Sequence, residues 1–187
     1  MDADVCFRAL RARDARFDGL FFTAVKTTGI FCRPVCPART ALRRNLEFFP
    51  NAAMAQAAGY RPCLRCRPEV SPDLPASAGS STTVNRALRL IHEGALDSGS
   101  TAELAERLGL TDRHLRRLFL EHVGAPPVVV ASTRRLLFAK KLITETRLTF
   151  AEIAFAAGYQ SLRRFNEAIR DTYRRNPQEL RRFDARE

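Results

Sequence analysis

Four of the five cysteines in this 187-residue chain fall into two closely spaced pairs. Three residues separate Cys32 from Cys36, two separate Cys63 from Cys66, and 26 residues lie between the pairs. Two such short loops, once a fold brings them together, offer four sulfur ligands in the tetrahedral arrangement that zinc adopts in proteins. The spacing therefore predicts one zinc ion held by these four side chains, in a small domain that depends on the metal for stability.

The spacing alone leaves the role of this metal site open. A purely structural site is the commoner use of four thiolates, and redox chemistry by Cys63 and Cys66 is a weaker alternative because no thioredoxin-like strand and helix surround them. Zinc also keeps its sulfur ligands deprotonated at neutral pH, and an exposed thiolate can attack an electrophilic carbon. Alkylation of one sulfur would change the charge of the site from about −2 to about −1 and weaken its repulsion of a nearby phosphate.

The charge of the chain favours a polyanionic partner. It has 31 Lys and Arg against 20 Asp and Glu, a formal net charge of +11. Basic side chains that neutralise phosphates release counterions, so the surplus indicates nucleic acid; improved solubility is the alternative. No apolar run is long enough to span a membrane, and the N-terminus is too polar for a signal peptide. We therefore expect a cytoplasmic protein with reduced cysteines and no membrane partner.

A segment rich in Ser, Pro, Gly and Thr, residues 71–84, divides the chain and predicts a linker. Residues 1–70 hold all the cysteines and mix helical with β-rich segments, which predicts a small α+β zinc domain. Within it, Cys6 lies outside the pairs in a predicted helix and is expected to be a core residue. Residues 85–187 are expected to form an all-α domain with two helix-turn-helix units.

A partial internal repeat supports these two units. Residues 100–119 and 148–169 each combine a short helix, a Gly-containing turn and a second helix, and Ala105 and Gly109 of the first unit recur 49 residues later. Small Ala lets two helices cross closely and Gly permits the turn, which is typical of the helix-turn-helix motif. An amphipathic helix over residues 133–145 is expected to join the units.

The second helix of each unit is predicted to contact DNA bases. In the second unit, Leu162, Phe165 and Ile169 are expected to face the core, which leaves basic and amide side chains outward. Arg can read guanine with two hydrogen bonds, and Asn can read adenine in the same way. The predicted DNA-contacting residues of the two helices are Arg113, Arg116, Arg117, Arg163, Arg164 and Asn166.

The segments KTTGIFCRPVCPART and NLEFFPNAAMAQAAGYRPCLRCRPE closely resemble the N-terminal domain of the bacterial Ada adaptive-response proteins. The resemblance implies a DNA phosphotriester methyltransferase that contains one zinc ion and accepts the methyl group irreversibly on Cys32, so that each molecule acts once. Cys36, Cys63 and Cys66 would complete the metal site.

The same resemblance implies DNA contacts by Thr28, Arg39 and Arg61, whereas Pro37 occupies a position at which the best-known members carry a basic contact residue. Guanidinium groups match phosphate geometry, so the arginines near the cysteines are expected to hold phosphates beside the damaged one. They are Arg33, Arg39, Arg43, Arg44, Arg61, Arg65 and Arg67.

Residues 85–183 resemble the DNA-binding region of AraC-type regulators, through ELAERLGLTDRHLRRLFLEHVGAPP and EIAFAAGYQSLRRFNEAIRDTYRRNPQELR. This resemblance implies two recognition helices in successive major-groove segments, roughly 34 Å apart. Together the two halves predict an alkylation sensor and repair protein that activates transcription once methylated. Double-stranded DNA is the expected partner of a monomer in the bacterial nucleoid, with RNA polymerase as a further candidate.

Two other interpretations remain open. The chain is an AraC-type regulator with an inert structural zinc, or it is the N-terminal part of a larger fusion with an alkyl-base glycosylase. The Pro-Cys-His-Arg motif of guanine-O6 methyltransferases does not occur in the sequence. We therefore expect neither guanine-O6 repair nor glycosylase activity from these residues.

Overall fold

The computed structural model describes residues 1–71 and 82–184, and the chain divides into two compact units, Met1–Ser77 and Ala78–Glu187. Most of the predicted linker, residues 72–81, lies outside the described residues. Its last three residues, 82–84, belong to a helix instead, because Val84 is fully buried in the core of the second unit and anchors the first helical turn there.

The N-terminal unit is built on a four-stranded sheet with the order β3-β1-β2-β4. β1 pairs antiparallel with β2 and β3, and β4 joins β2 in parallel. The sheet and its helices confirm the predicted α+β class. Its elements are α1 (Ala3–Ala12), β1 (Phe22–Val25), β2 (Ile30–Cys32), β3 (Leu46–Phe49), α2 (Ala52–Ala57) and β4 (Arg61–Pro62), with 3-10 turns at Ala15–Phe17, Arg43–Asn45 and Pro68–Val70.

Aromatic side chains fill both faces of this small sheet. Phe22 and Phe31 meet edge to face with ring centroids 5.7 Å apart, in the cluster that packs against α2. On the other face, the rings of Phe21 and Phe48 are also 5.7 Å apart and pack with Cys6 of α1. Cys6 is 1% exposed, which confirms that it is a core residue. Because each cluster holds only a few side chains, the unit has little apolar core to stabilise it.

Helices make up the described part of the C-terminal unit, as predicted. α4 with α5 and α7 with α8 form the two helix-turn-helix units, and α6 connects them. α6 begins at Pro127, earlier than the predicted 133, because Pro fits the first turn of a helix. The helices are α3 (Thr82–His92), α4 (Thr101–Arg107), α5 (Asp112–His122), α6 (Pro127–Glu145), α7 (Phe150–Ala156), α8 (Leu162–Tyr173) and α9 (Pro177–Asp184). Among the described residues, none of these helices is long and apolar enough to cross a membrane.

The internal repeat seen in the sequence is a structural repeat. Ala105 and Ala154 are fully buried at the helix crossings of their units. Gly109 and Gly158 adopt left-handed backbone conformations, with φ of 70° and 87°, that allow the sharp turns. A capping box also opens both α4 and α7, so each unit starts in the same way.

One predicted core residue is exposed. Phe165 and Ile169 of α8 are fully buried, but Leu162 is 40% exposed. Leu162 is the first residue of α8. The apolar periodicity of α8 therefore begins one turn before the part of the helix that the other helices cover. The prediction that Leu162 faces the core is wrong.

Candidate metal centre and nucleic-acid interface

The sheet brings the two cysteine pairs together. Cys32 is the last residue of β2, and Cys63 directly follows β4, which runs parallel to β2. The N–H of Cys63 donates to the carbonyl oxygen of Phe31 at 2.9 Å. Because neighbouring parallel strands end at the same edge of a sheet, both cysteine loops leave it side by side.

The four sulfur atoms form one compact group. Those of Cys32, Cys36, Cys63 and Cys66 all lie within 4.8 Å of one another. Tetrahedral zinc with its usual zinc–sulfur bond length requires sulfur atoms about 3.8 Å apart, so the group fits a single ion. Four sulfur donors suit zinc and exclude the oxygen-seeking magnesium and calcium. The structure thus confirms that the four predicted ligands lie together in one group that can hold a single zinc ion.

The close sulfurs perturb one another strongly. Hydrogen bonds with Cys36, Cys63 and Cys66, together with burial, raise the pKa of the Cys32 thiol. The hydrogen bond with Cys32 lowers the pKa of Cys36 to about 7. Four neighbouring thiols cannot all ionise without a compensating charge, because the anions repel. A divalent cation supplies that charge and lets every sulfur be a thiolate.

Cys32 differs from the other three cysteines in exposure. Cys36, Cys63 and Cys66 are between 6% and 8% exposed, whereas Cys32 is half-buried. The sulfur of Cys66 also accepts the backbone N–H of Arg33 at 3.3 Å. As a whole residue, Cys32 is therefore the least covered of the four ligands, and its role as the attacking sulfur stays a prediction.

A partly buried ion pair that the sequence does not indicate supports the site. The Arg33 Nε donates to the Asp18 carboxylate at 2.9 Å, and its Nη1 donates to the carbonyl oxygen of Cys66 at 3.1 Å. The side chains of Arg33 and Asp18 are only 15% and 9% exposed. Arg33 is thus turned inward and joins the two cysteine loops, which corrects the expectation that it holds a phosphate. No local pattern marks Asp18, which lies 15 residues away in sequence.

The other predicted DNA contacts of this unit lie mostly at its surface. Thr28 is exposed in the turn between β1 and β2, and Arg39 and Arg65 are exposed beside the cysteines. Arg61 is half-buried in β4, and Pro37 is exposed. None of these residues is fully buried, and their binding of DNA stays a prediction.

The predicted recognition helices present charged side chains to solvent. On α5, Arg113 and Arg117 are exposed, and Arg116 is exposed but pairs with Asp112 at 2.9 Å. The N-terminal half of α5 is therefore strongly basic, which suits contact with phosphates and guanines.

On α8, Arg164 is exposed and Asn166 is half-buried. Arg163 is also exposed and pairs with Glu167 at 2.8 Å, one helical turn further along. Both helices thus carry the expected side chains outward, although Arg116 and Arg163 must leave a neighbouring carboxylate before they can contact a base.

Comparison with known families matches each half of the chain. Residues 5–69 match the family model described as the metal binding domain of Ada, and residues 104–182 match a helix-turn-helix domain. The C-terminal half is also similar to the crystal structure of an AraC-type transcriptional regulator from Chromobacterium violaceum, with 28% identity and a TM-score of 0.50. That match covers 58% of this chain and 97% of the other.

Two curated relatives align with most of the chain. The bifunctional transcriptional activator/DNA repair enzyme AdaA of Bacillus subtilis is 32% identical over 160 residues, which are 84% of this chain and 72% of AdaA. The probable bifunctional transcriptional activator/DNA repair enzyme AlkA of Mycobacterium tuberculosis is 47% identical over 169 residues. That alignment covers 90% of this chain but 34% of the relative, so the chain spans about a third of the mycobacterial protein.

Proposed function

Because the chain belongs to the Ada family of transcriptional activators and DNA repair proteins, we propose that it removes methyl groups from DNA methylphosphotriesters onto the sulfur of Cys32. The observation that carries this proposal is the half-buried position of Cys32 among three buried cysteines. Only a sulfur that a DNA backbone can approach is able to reach the methyl carbon.

The reaction is a direct displacement at carbon. The Cys32 thiolate attacks the methyl carbon, a sulfur–carbon bond forms, the carbon–oxygen bond breaks, and the DNA phosphodiester anion leaves. Zinc, when bound, keeps the sulfur deprotonated at neutral pH, so the step needs no general base. The thioether product is stable, so each molecule reacts once.

Surface groups around the cysteines would hold the damaged backbone. Thr28, Arg39, Arg61 and Arg65 are near the cysteine loops in sequence, and none of them is fully buried. Guanidinium groups bind the oxygens of intact phosphates with paired hydrogen bonds. These contacts would place the methylated triester next to Cys32. The triester is neutral and attracts cations less than the intact phosphates on either side of it do.

The helical unit would read promoter DNA. Two recognition helices on one chain suit a monomer that contacts two segments of double-stranded DNA. A chain that activates transcription also needs RNA polymerase as a partner. It would act on the DNA of the nucleoid, in the cytoplasm. The residues proposed to contact bases are Arg113, Arg116, Arg117, Arg163, Arg164 and Asn166.

Methyl transfer would switch the affinity of the chain for DNA. Loss of one thiolate charge reduces repulsion between the cysteine site and nearby phosphates. The test compares DNA affinity, at low and high salt, for the zinc-loaded chain before and after incubation with a methylphosphotriester duplex. We expect tighter binding afterwards, with a difference that shrinks at high salt.

A chain incubated with unmodified duplex is the control for that comparison. If the triester duplex leaves both the mass and the affinity of the chain unchanged, while sequence-specific binding persists, the protein is a DNA-binding regulator with an inert structural zinc.

A further inference from the structure

Asp97 lies between α3 and α4, ahead of the first helix-turn-helix unit, and contacts residues far from it in sequence. Its carboxylate lies 3.4 Å from Nη1 of Arg134 and 3.3 Å from Nη1 of Arg135, both on α6. Its backbone carbonyl accepts a hydrogen bond from Nε2 of Gln160, in the second unit, at 3.0 Å. One residue thus joins the start of the first unit, the connecting helix and the second unit.

The two arginines hold the segment around Asp97 by its backbone as well. Arg134 Nε donates to the carbonyl oxygen of His92 at 3.0 Å, and Arg135 Nη1 donates to that of Leu96 at 2.7 Å. The side chains of Asp97, Arg134 and Arg135 are 20%, 21% and 17% exposed. Ion pairs that are this far removed from water hold their geometry better than surface pairs.

The turn of the second unit packs directly on the Asp97 carboxylate. A Cβ atom at Gly158 would lie 2.2 Å from Oδ2 of Asp97. At Gly109, the equivalent glycine of the first unit, a Cβ would meet nothing within 4 Å. Both glycines have positive φ, but only at Gly158 would an added Cβ also push against the Asp97 carboxylate. Of the two equivalent turns, only that of the second unit thus lies against Asp97.

The turn and the recognition helix that follows it are linked. Tyr159 packs edge to face on Phe165 of α8, with ring centroids 5.6 Å apart. Burial raises the pKa of Tyr159 to about 12, in keeping with this enclosed position. Because α8 begins two residues after Gln160, a displacement of this turn from Asp97 would displace α8 too.

We propose that Asp97 is a positioning residue that fixes the second recognition helix relative to the first. The chain would then accept two DNA segments at one set spacing. This inference rests on the proposed reading of DNA by both helices. When one helix-turn-helix unit is bound, a rigid chain holds the other unit close to its DNA segment only if the spacing between the two segments matches. Asp97 would therefore make binding specific for that spacing without touching DNA.

The test measures how strongly affinity depends on spacing. A duplex that the wild-type chain selects from a random-sequence pool serves as the probe, together with versions that carry inserted base pairs between the two contacted segments. An insertion of about five base pairs turns one segment half a helical turn away, and we expect wild-type affinity to fall at least about tenfold.

The variant Asp97→Asn keeps the size of the side chain but removes the charge that holds Arg134 and Arg135. We expect the same insertion to lower the affinity of this variant less than about threefold. Its affinity for the original duplex should fall toward the affinity of a chain that contacts only one of the two segments. Glu106→Gln, an exposed residue of α4, makes the same change in charge and should keep the wild-type dependence. Thermal unfolding of each variant checks that the helical unit is folded.

Gln160→Ala keeps the inference testable if Asp97→Asn does not fold. Gln160 is exposed, and its replacement removes only the hydrogen bond to the Asp97 carbonyl. A weakened spacing dependence in this folded variant supports the inference. Folded variants with the full wild-type dependence overturn the inference but leave the proposed function intact. A wild-type chain that binds DNA regardless of spacing overturns both the inference and the proposed two-segment reading.

Discussion

The guanidinium of Arg13 donates a hydrogen bond to the carbonyl oxygen of Pro37, 3.0 Å away. Arg13 follows α1 in a left-handed conformation, with φ of 48°, and its side chain is exposed. Pro37 directly follows Cys36 and cannot itself offer a positive charge. The contact therefore brings a cation from α1 to the place where the family resemblance implies a basic residue.

We expect Arg13→Ala to weaken DNA binding by the N-terminal half. Loss of one phosphate contact should lower the slope of log affinity against log salt by about one. Arg11→Ala, which removes the same charge from an exposed position in the last turn of α1, is the matched control and should change the slope less. Pro37→Arg, added to Arg13→Ala, should restore the slope. Equal effects of the Arg13 and Arg11 variants would show that Arg13 makes no specific contact.

The Asp18–Arg33 pair gives a second prediction. Asp18→Asn leaves the partly buried Arg33 without its anion, so the free energy of unfolding of the zinc-loaded N-terminal unit should fall by about 2 kcal/mol. Zinc affinity should fall by about tenfold to a hundredfold, because Arg33 holds the Cys66 loop. Denaturant unfolding and competition with a chelator measure the two effects. Asp14→Asn weakens a pair whose arginine, Arg16, is 85% exposed, and it should change both quantities little.

Removal of zinc should unfold one half of the chain. The sheet has small aromatic clusters and depends on the four cysteines, whereas the helical unit has its own apolar core around Leu115 and Phe119. Under a chelator, we expect amide signals of β1 to lose their dispersion while those of α5 stay in place, with recovery when zinc returns. Loss of both sets of signals, or of neither, would contradict this division of stability.

The end of α8 offers a prediction on backbone strain. Arg174 ends this helix in a left-handed conformation, with φ of 54°, whereas the first unit has Gly124 at the equivalent place, with φ of 76°. Arg174→Gly should raise the free energy of unfolding of the helical unit by about 1 kcal/mol, because glycine adopts this conformation without strain. Arg175→Gly, at the next exposed position, is the control and should not stabilise. Thermal unfolding of both variants decides the point.

Local patterns in the sequence predict much of this architecture. The cysteine spacing predicts the metal site, and the recurrence of Ala105 and Gly109 predicts two helix-turn-helix units. Both predictions succeed because each cysteine pair and each helix-turn-helix unit is a short pattern in itself, where helix and turn geometry connects sequence to structure. Which cysteine reacts does not follow from spacing, because exposure depends on how the whole sheet covers the site.

Contacts between distant residues are the part that the sequence does not predict. Asp18 pairs with Arg33, and Asp97 contacts Gln160 across 63 positions of the chain. Nothing in the residue types nearby distinguishes these acids from solvated ones. The error at Leu162 has a similar origin, since periodicity predicts which face of a helix is apolar but not how far its neighbours extend along it.

The identity of the modified sulfur decides whether Cys32 is the methyl acceptor. The zinc-loaded chain is incubated with a duplex that carries methylphosphotriesters, digested, and examined peptide by peptide by mass spectrometry, with Cys32→Ser as the matched control. We expect one added methyl group, on the peptide that contains Cys32, and none on the control. An unmodified chain, or a methyl group on Cys36, Cys63 or Cys66 instead, would show that Cys32 is not the methyl acceptor.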